Sequence, residues 1–282
     1  MKKLWIPVLA GAGLCFAQFS ASAQEFKQHV SKQFTQQKGV VAIYNIFGSI
    51  NVEGYSGDKV IMEIDETISA DDQTTLEQGK KEFKLGFDQK QDTVMAYIAE
   101  PHDSRPHRWY NRDEDRHIEY KYTLEFTVKV PYNSDLRIST VNDGHITVKD
   151  VYGVLKVSNV NGPIDIANAK GPTDAHTVNG AVTASYLKIP VDASSYKTIN
   201  GEVKITYPAN LAADLEFKSM NGQFYTDFPN AEVMPSKVIT TQSKNSKGTT
   251  YKLSKNSHVR IGAGGKLFKF ETLNGDIYIK KQ

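Results

Sequence analysis

One spacing, repeated along the chain, constrains the fold more than any other feature. An apolar residue stands seven, five and two positions before a glycine, and again two and four positions after it. The clearest copy is Leu155, Val157, Val160, Gly162, Ile164 and Ile166. Leu215, Phe217, Met220, Gly222 and Phe224 form another, with Thr226 in the last place, and Phe268, Phe270, Leu273, Gly275, Ile277 and Ile279 a third. Asparagine precedes the glycine at Asn161, Asn179, Asn200, Asn221 and Asn274. Alternating apolar residues on either side of Asn-Gly read as strand, turn, strand. Gly144, Gly153, Gly162, Gly171 and Gly180 follow one another at an interval of nine, and Gly201 and Gly222 at 21. Nine residues supply one strand and one turn, so two intervals make a two-stranded coil. A single coil cannot bury its apolar face, whereas stacked coils can.

The expected fold is therefore all-β: a parallel β-solenoid, similar to a β-helix, of 18–21-residue coils. Asn161-Gly162, Asn179-Gly180, Asn200-Gly201, Asn221-Gly222 and Asn274-Gly275 are its structural turns. Glycine is expected there for a positive φ, and the asparagines for an amide ladder between coils.

The remaining segments divide around this repeat. Residues 1–23 read as an export signal: Lys2 and Lys3, a mostly apolar run from Leu4 to Phe16, then Ala21-Ser22-Ala23 as a cleavage site. Residues 24–38 are polar and aperiodic and read as a linker. Residues 39–135 read as a β-rich region with an early copy of the repeat (Val41, Ile43, Ile46, Gly48, Ile50, Val52) and one helix over Asp71–Phe83. Asp71 and Asp72 suit the start of that helix, and Lys80, Lys81 and Lys84 its end. Glu100–Arg116 reads as a long hairpin loop. Residues 136–282 form the repeat domain, interrupted near 228–265 by a hairpin that turns at Lys244–Gly248, with the last copy closing the domain.

Composition narrows the function classes. The formal net charge is +2, and Lys2 and Lys3 of the signal account for it, so the exported chain is neutral overall. That argues against general nucleic-acid binding. The only cysteine, Cys15, lies in the signal, which removes disulfides, thiolate metal sites and a thiol nucleophile. No metal or cofactor is expected, and no transmembrane span after the signal. No catalytic motif is present, and Asp165 and Asp174 are the acids considered for a glycan-cleaving surface.

The serial copies, preceded by a signal, one early repeat and a strand-rich middle ending near Pro131, resemble a bacterial envelope domain family of unknown function labelled "putative adhesin". The resemblance spans roughly Gly39–Lys281 and implies a non-enzymatic protein of the periplasm or cell surface, or a secreted one, with an adhesive or scaffolding role. It supplies no catalytic residues. The binding candidates come from the residues themselves: Arg105, His107, Arg108, Trp109, Tyr110 and Arg112, where flat aromatic surface is interleaved with guanidinium donors. A cell-surface glycan or an envelope protein is the expected partner. A self-associating structural or envelope-stress module and a polysaccharide lyase or hydrolase stand as alternatives.

Overall fold

The computed structural model describes residues 24–36, 38–106, 118–245 and 248–282, and only the backbone within 236–256. Among the described residues the chain is all-β apart from one helix, and its strands form two large mixed sheets of ten and eleven strands. The N-terminal half supplies β1 (Gln24–Thr35), β2 (Val40–Tyr44), β3 (Ile50–Tyr55), β4 (Lys59–Ala70), α1 (Gln73–Glu82), β5 (Lys84–Lys90), β6 (Thr93–Glu100) and β7 (Lys121–Pro131). Then come β8 (Asp135–Ser139), β9 (Ile146–Lys149), β10 (Leu155–Ser158), β11 (Ile164–Ala169), β12 (Thr173–His176), β13 (Val182–Tyr186), β14 (Ser194–Lys197) and β15 (Val203–Tyr207). The chain ends with β16 (Ala213–Lys218), β17 (Phe224–Thr226), β18 (Ala231–Asn245), β19 (Gly248–Ile261), β20 (Lys266–Glu271) and β21 (Ile277–Lys281).

From β8 to β17 consecutive strands alternate between the sheets, and each strand from β8 to β13 pairs in parallel with the one two places along. Leu155 lies beside Thr173, and Ile164 beside Val182. One strand of each sheet makes a layer. The apolar residues seven and five before each glycine, and two and four after it, point between the sheets. Leu155, Val157, Ile164, Val182, Val203, Ile205, Phe268 and Ile279 are all fully buried there, in a single core that also takes in β2–β7.

The layers change character along the stack. Around β9–β12 the core is aliphatic, whereas from β13 onward it is aromatic. Tyr186 stacks on Tyr207 at 5.0 Å, Tyr207 on Phe268 at 5.5 Å, and Tyr196 on Phe270 at 5.3 Å. The hydroxyls of Tyr186, Tyr196 and Tyr207 meet one another, Tyr186 also donates to Thr173 Oγ1 (2.6 Å), and burial pushes all three well above the usual tyrosine range. This is where the repeat lengthens: the return from Tyr186 to Ser194 is longer than that from Ala169 to Thr173. The wider turn makes room for rings where the earlier layers hold alanine and valine.

Four features differ from the sequence reading. Residues 24–35 are not a linker but β1, paired antiparallel with β4 from Gln24↔Ala70 to Thr35↔Lys59. Only Phe26, Val30 and Phe34 of this strand pack on the core, and an outermost strand needs no stronger alternation. Glu100–Arg116 does not close a hairpin, because β6 and β7 belong to different sheets. β6 pairs in parallel with β2, and β7 with β3, so the segment joins the sheets where other layers have a short turn. The hairpin β18–β19 is longer than its apolar residues suggest, because its inner end pairs with β16 from Ala213↔Ile261 to Phe217↔Ser257.

Finally, the last copy does not close the stack. β20 lies between β14 and β16, and β21 between β15 and β17. The crossover is made at Gly262 and Gly264, whose φ values of 59° and 73° let the chain step around the start of β16. The helix is as the sequence indicates, capped by Asp72, which accepts from Thr75 N at 3.0 Å, with Lys80 and Lys81 in its last turn.

Candidate functional site

The Asn-Gly turns line one edge of both sheets. Asn161 Nδ2 donates to Asn142 Oδ1 (2.8 Å), Asn179 to Asn161 (2.8 Å), Asn200 to Asn179 (2.8 Å), Asn274 to Asn200 (2.7 Å) and Asn221 to Asn274 (2.8 Å). The glycines form a column beside them. A Cβ on Gly162 would overlap the carbonyl of Gly144, and the same holds for Gly180 on Gly162, Gly201 on Gly180, Gly275 on Gly201 and Gly222 on Gly275. Gly162, Gly201 and Gly222 have no positive φ. At these three, glycine is required because backbone stacks on backbone, whereas Gly180 and Gly275 combine that close approach with positive φ values of 159° and 151°.

A second polar column runs inside the first. Three residues before each glycine stand Asn45, Asn159, Thr177, Thr198, Ser219 and Thr272. Thr177 Oγ1 donates to Gly162 O (2.9 Å), Thr198 to Gly180 O (2.8 Å), Thr272 to Gly201 O (3.1 Å) and Asn159 Nδ2 to Gly144 O (2.8 Å). The apolar residue two before the glycine lies outside. Val160, Val178 and Ile199 are half-buried, Leu273 is 38% exposed and Met220 74% exposed. Strand alternation accounts for both: positions seven, five and three before the turn share the inward face, and position two does not. Within these columns the side chains bond one another and the glycine carbonyls.

The segment after β6 builds a different environment. Ser104 fixes its start: Oγ accepts from Ile98 N (2.8 Å) and donates to Tyr44 O (2.7 Å). Arg105 then folds back onto the sheet. Its Nε reaches Asp103 at 2.9 Å, its Nη1 reaches Asp88 at 3.2 Å, and its guanidinium lies 3.9 Å from the Tyr97 ring centre. Hydrogen bonding to Asp103 raises the Arg105 pKa further. The ring has room because Gly86 stands beside it, where any Cβ would meet the ring within 3 Å.

Beside this clamp is a concavity of about 670 Å³ lined by Tyr44, Asp88, Lys90, Met95, Arg137 and Lys156, with Arg105 and Pro106 at its rim. A second one, of about 290 Å³, shares Lys156 and extends past Val154, Pro172, Asp174 and Ser195 to Lys269. Of the candidate binding residues, Arg105 is thus placed at the first concavity. His107, Arg108, Trp109, Tyr110 and Arg112 lie outside the described residues. Arg137 and Lys156 were not singled out by sequence. They are 19 positions apart, and only the pairing of β8 with β10 sets them side by side.

The two acids considered for glycan cleavage do not meet. Asp165, on β11, receives a 2.6 Å hydrogen bond from His145 on the outer face of the ten-stranded sheet, whereas Asp174 belongs to β12 of the other sheet. Among the described residues no group of three or more His, Cys, Asp or Glu is arranged to hold a metal ion, and no helix is long and apolar enough to cross a membrane.

No family model and no curated protein matches the chain. Among solved structures, a putative cell adhesion protein from Clostridium sporogenes is 11% identical, with a TM-score of 0.38 over 91% of this chain and 100% of its own. A putative adhesin from Bacteroides fragilis is 8% identical, with a TM-score of 0.26 over 90% of this chain and 97% of its own. One from Parabacteroides distasonis is 9% identical, with a TM-score of 0.29 over the same shares. All three are named for adhesion. At such identities and scores they assign no role to any residue.

Proposed function

We propose that this chain is an exported, non-enzymatic, adhesin-like protein of the bacterial envelope, which binds a surface ligand from a rigid β-solenoid frame. The parallel register of 18 residues in Leu155↔Thr173 and Ile164↔Val182, and of 21 in Val182↔Val203, supports two-stranded coils wound one upon another. The region 39–135 and the repeat region 136–282 then share one stack, because β2 and β3 of the first pair directly with β8 and β9 of the second.

The observation that carries the binding role is the clamp at Arg105. Two carboxylates and a ring hold this side chain at the lip of a concavity, at the root of the segment that contains Arg108, Trp109 and Tyr110. Holding a guanidinium in place before a ligand arrives removes ordering entropy from the binding step. Whole-cell retention and a glycan array, comparing the protein with an Arg108→Ala, Trp109→Ala, Tyr110→Ala variant, test it. The variant is expected to lose most of the signal, and equal signals would remove the segment from the contact.

A second reading, self-association, draws on the other end of the molecule, where Met220 and Tyr225 are exposed beside the outermost strand β17. Light scattering across a concentration series separates the two, since a strict monomer that still binds cells supports the first alone.

A further inference from the structure

We propose that the outer face of the eleven-stranded sheet is a groove for an acidic polysaccharide, read by Arg137, Lys156 and Lys269. It rests on the surface-binding role proposed above and names the class of ligand. The pairing registers set Met95, Ala42, Arg137, Lys156, Asp174, Ser195 and Lys269 in one line across β6, β2, β8, β10, β12, β14 and β20. At about 4.8 Å per strand the line runs for roughly 29 Å, and both concavities open on it, joined at Lys156. That length suits a linear chain better than a compact molecule.

The charges separate this line from its neighbour. One pleat along, Lys197 and Lys218 both pair with Glu271. On the groove line Arg137, Lys156 and Lys269 make no ion pair among the described residues, and neither does Lys90, two residues along β5 from the line. Asp174 is the one acid between Met95 and Lys269; the registers set Asp88, which Arg105 holds, beyond Met95, and Glu216 beyond Lys269. Unpaired cations spaced along a shallow channel raise the local concentration of a polyanion even on a neutral protein. Arg137 can take a carboxylate in bidentate fashion, and the lysines act as point charges.

The walls indicate what carries the carboxylates. Val154, Pro172, Ala193 and Leu267 form an apolar flank along the second concavity, a surface for the C–H faces of sugar rings. The second concavity has small Ser195 on its lining and none of the aromatic platforms on which nucleic-acid bases stack. Uronic-acid chains combine ring faces with regularly spaced carboxylates, and they fit both features.

Calorimetric titration of the protein with oligogalacturonate, with its neutral methyl ester and with single-stranded DNA, all in one buffer, tests the assignment. The acid form is expected to bind, with an affinity that falls as salt rises, and the ester and the DNA about tenfold or more weakly. An Arg137→Gln, Lys156→Gln variant is expected to lose about tenfold in affinity or more. Lys204→Gln, on the outer face of the other sheet, is expected to change nothing. All three side chains are exposed, and unchanged melting curves verify the variants. Equal binding of the ester, equal binding of the DNA, or full affinity in the double variant each overturns the groove. If oligogalacturonate fails while cells are still retained, the groove falls and the surface-binding role stands. If nothing is retained on cells, that role falls as well.

Discussion

The two ends of the stack are finished differently. At the N-terminal end the outermost parallel strands, β6 and β7, are both covered: β5 pairs antiparallel with β6, and β4 and then β1 extend from β7. Helix α1 packs on β4 and β1, with Leu76 and Phe83 buried. At the C-terminal end only one sheet is extended. β19 and β18 continue from β16, while the other sheet stops at β17, three residues long. Met220, Tyr225, Val233 and Leu273 are exposed at this end, half of the large exposed apolar residues among those described. A short edge strand limits sheet-to-sheet aggregation as effectively as a cover does, but it leaves β17 of the last layer held from one side only. The N-terminal end therefore behaves as a cap, and the C-terminal end as the place where the structure opens first.

The largest test of this contrast uses the glycine column. Gly201→Ala places a methyl against the Gly180 carbonyl in the middle of the stack, where neither layer can withdraw. It is expected to cost about 3 kcal/mol, read as a drop in the urea midpoint. Gly222→Ala makes the same collision with Gly275 in the outermost layer, which can lift away, and is expected to cost about half as much. Equal losses at the two positions would mean that the last layer is as confined as the middle.

The asparagine ladder gives a smaller version. Asn200 bonds both Asn179 and Asn274, whereas Asn221 bonds Asn274 alone. Asn200→Ala is expected to destabilise by about 1 kcal/mol and Asn221→Ala by less, measured by the same denaturation. The reverse order would break the assignment of Asn221 to the end of the ladder.

The smallest effect concerns β1 and pH. His29 lies between Asp65 (Nδ1, 2.7 Å) and Glu63 (Nε2, 2.8 Å) of β4, and hydrogen bonding, first to Asp65 and then to Glu63, raises its pKa above 6.5. A raised histidine pKa stabilises fully below the unfolded value and loses that contribution as pH climbs through the folded one. Protease sensitivity of β1 is therefore expected to increase slightly from about pH 6 to about pH 8, and His29→Gln is expected to abolish the pH dependence. A pH-independent β1 would remove the histidine from its docking.

Much of this was legible in the residues, within limits set by how strands bury side chains. Leu155, Val157, Ile164 and Ile166 announce an inward face because they are apolar at spacing two. Thr177 and Thr198 share that face but look like surface residues, since sequence shows their polarity and not the glycine carbonyls they meet. Val160 and Met220 mislead in the opposite direction, being apolar and outside. β1 escaped notice because an edge strand needs few apolar residues. The placement of β20–β21 inside the stack was not readable at all, because all copies share one pattern and nothing local states which layer receives which. The groove was invisible for a related reason: Arg137, Lys156 and Lys269 become neighbours only through register.

That order of layers is tested most directly by cysteine cross-linking, which the chain suits because its only cysteine is Cys15. Neighbouring parallel strands bring opposed Cα atoms to about 4.8 Å, within disulfide reach, and a layer farther apart does not. Under mild oxidation, Asn200→Cys with Asn274→Cys is expected to form a bond, and Asn200→Cys with Asn221→Cys is not. A bond between positions 200 and 221, with none between 200 and 274, would contradict the account.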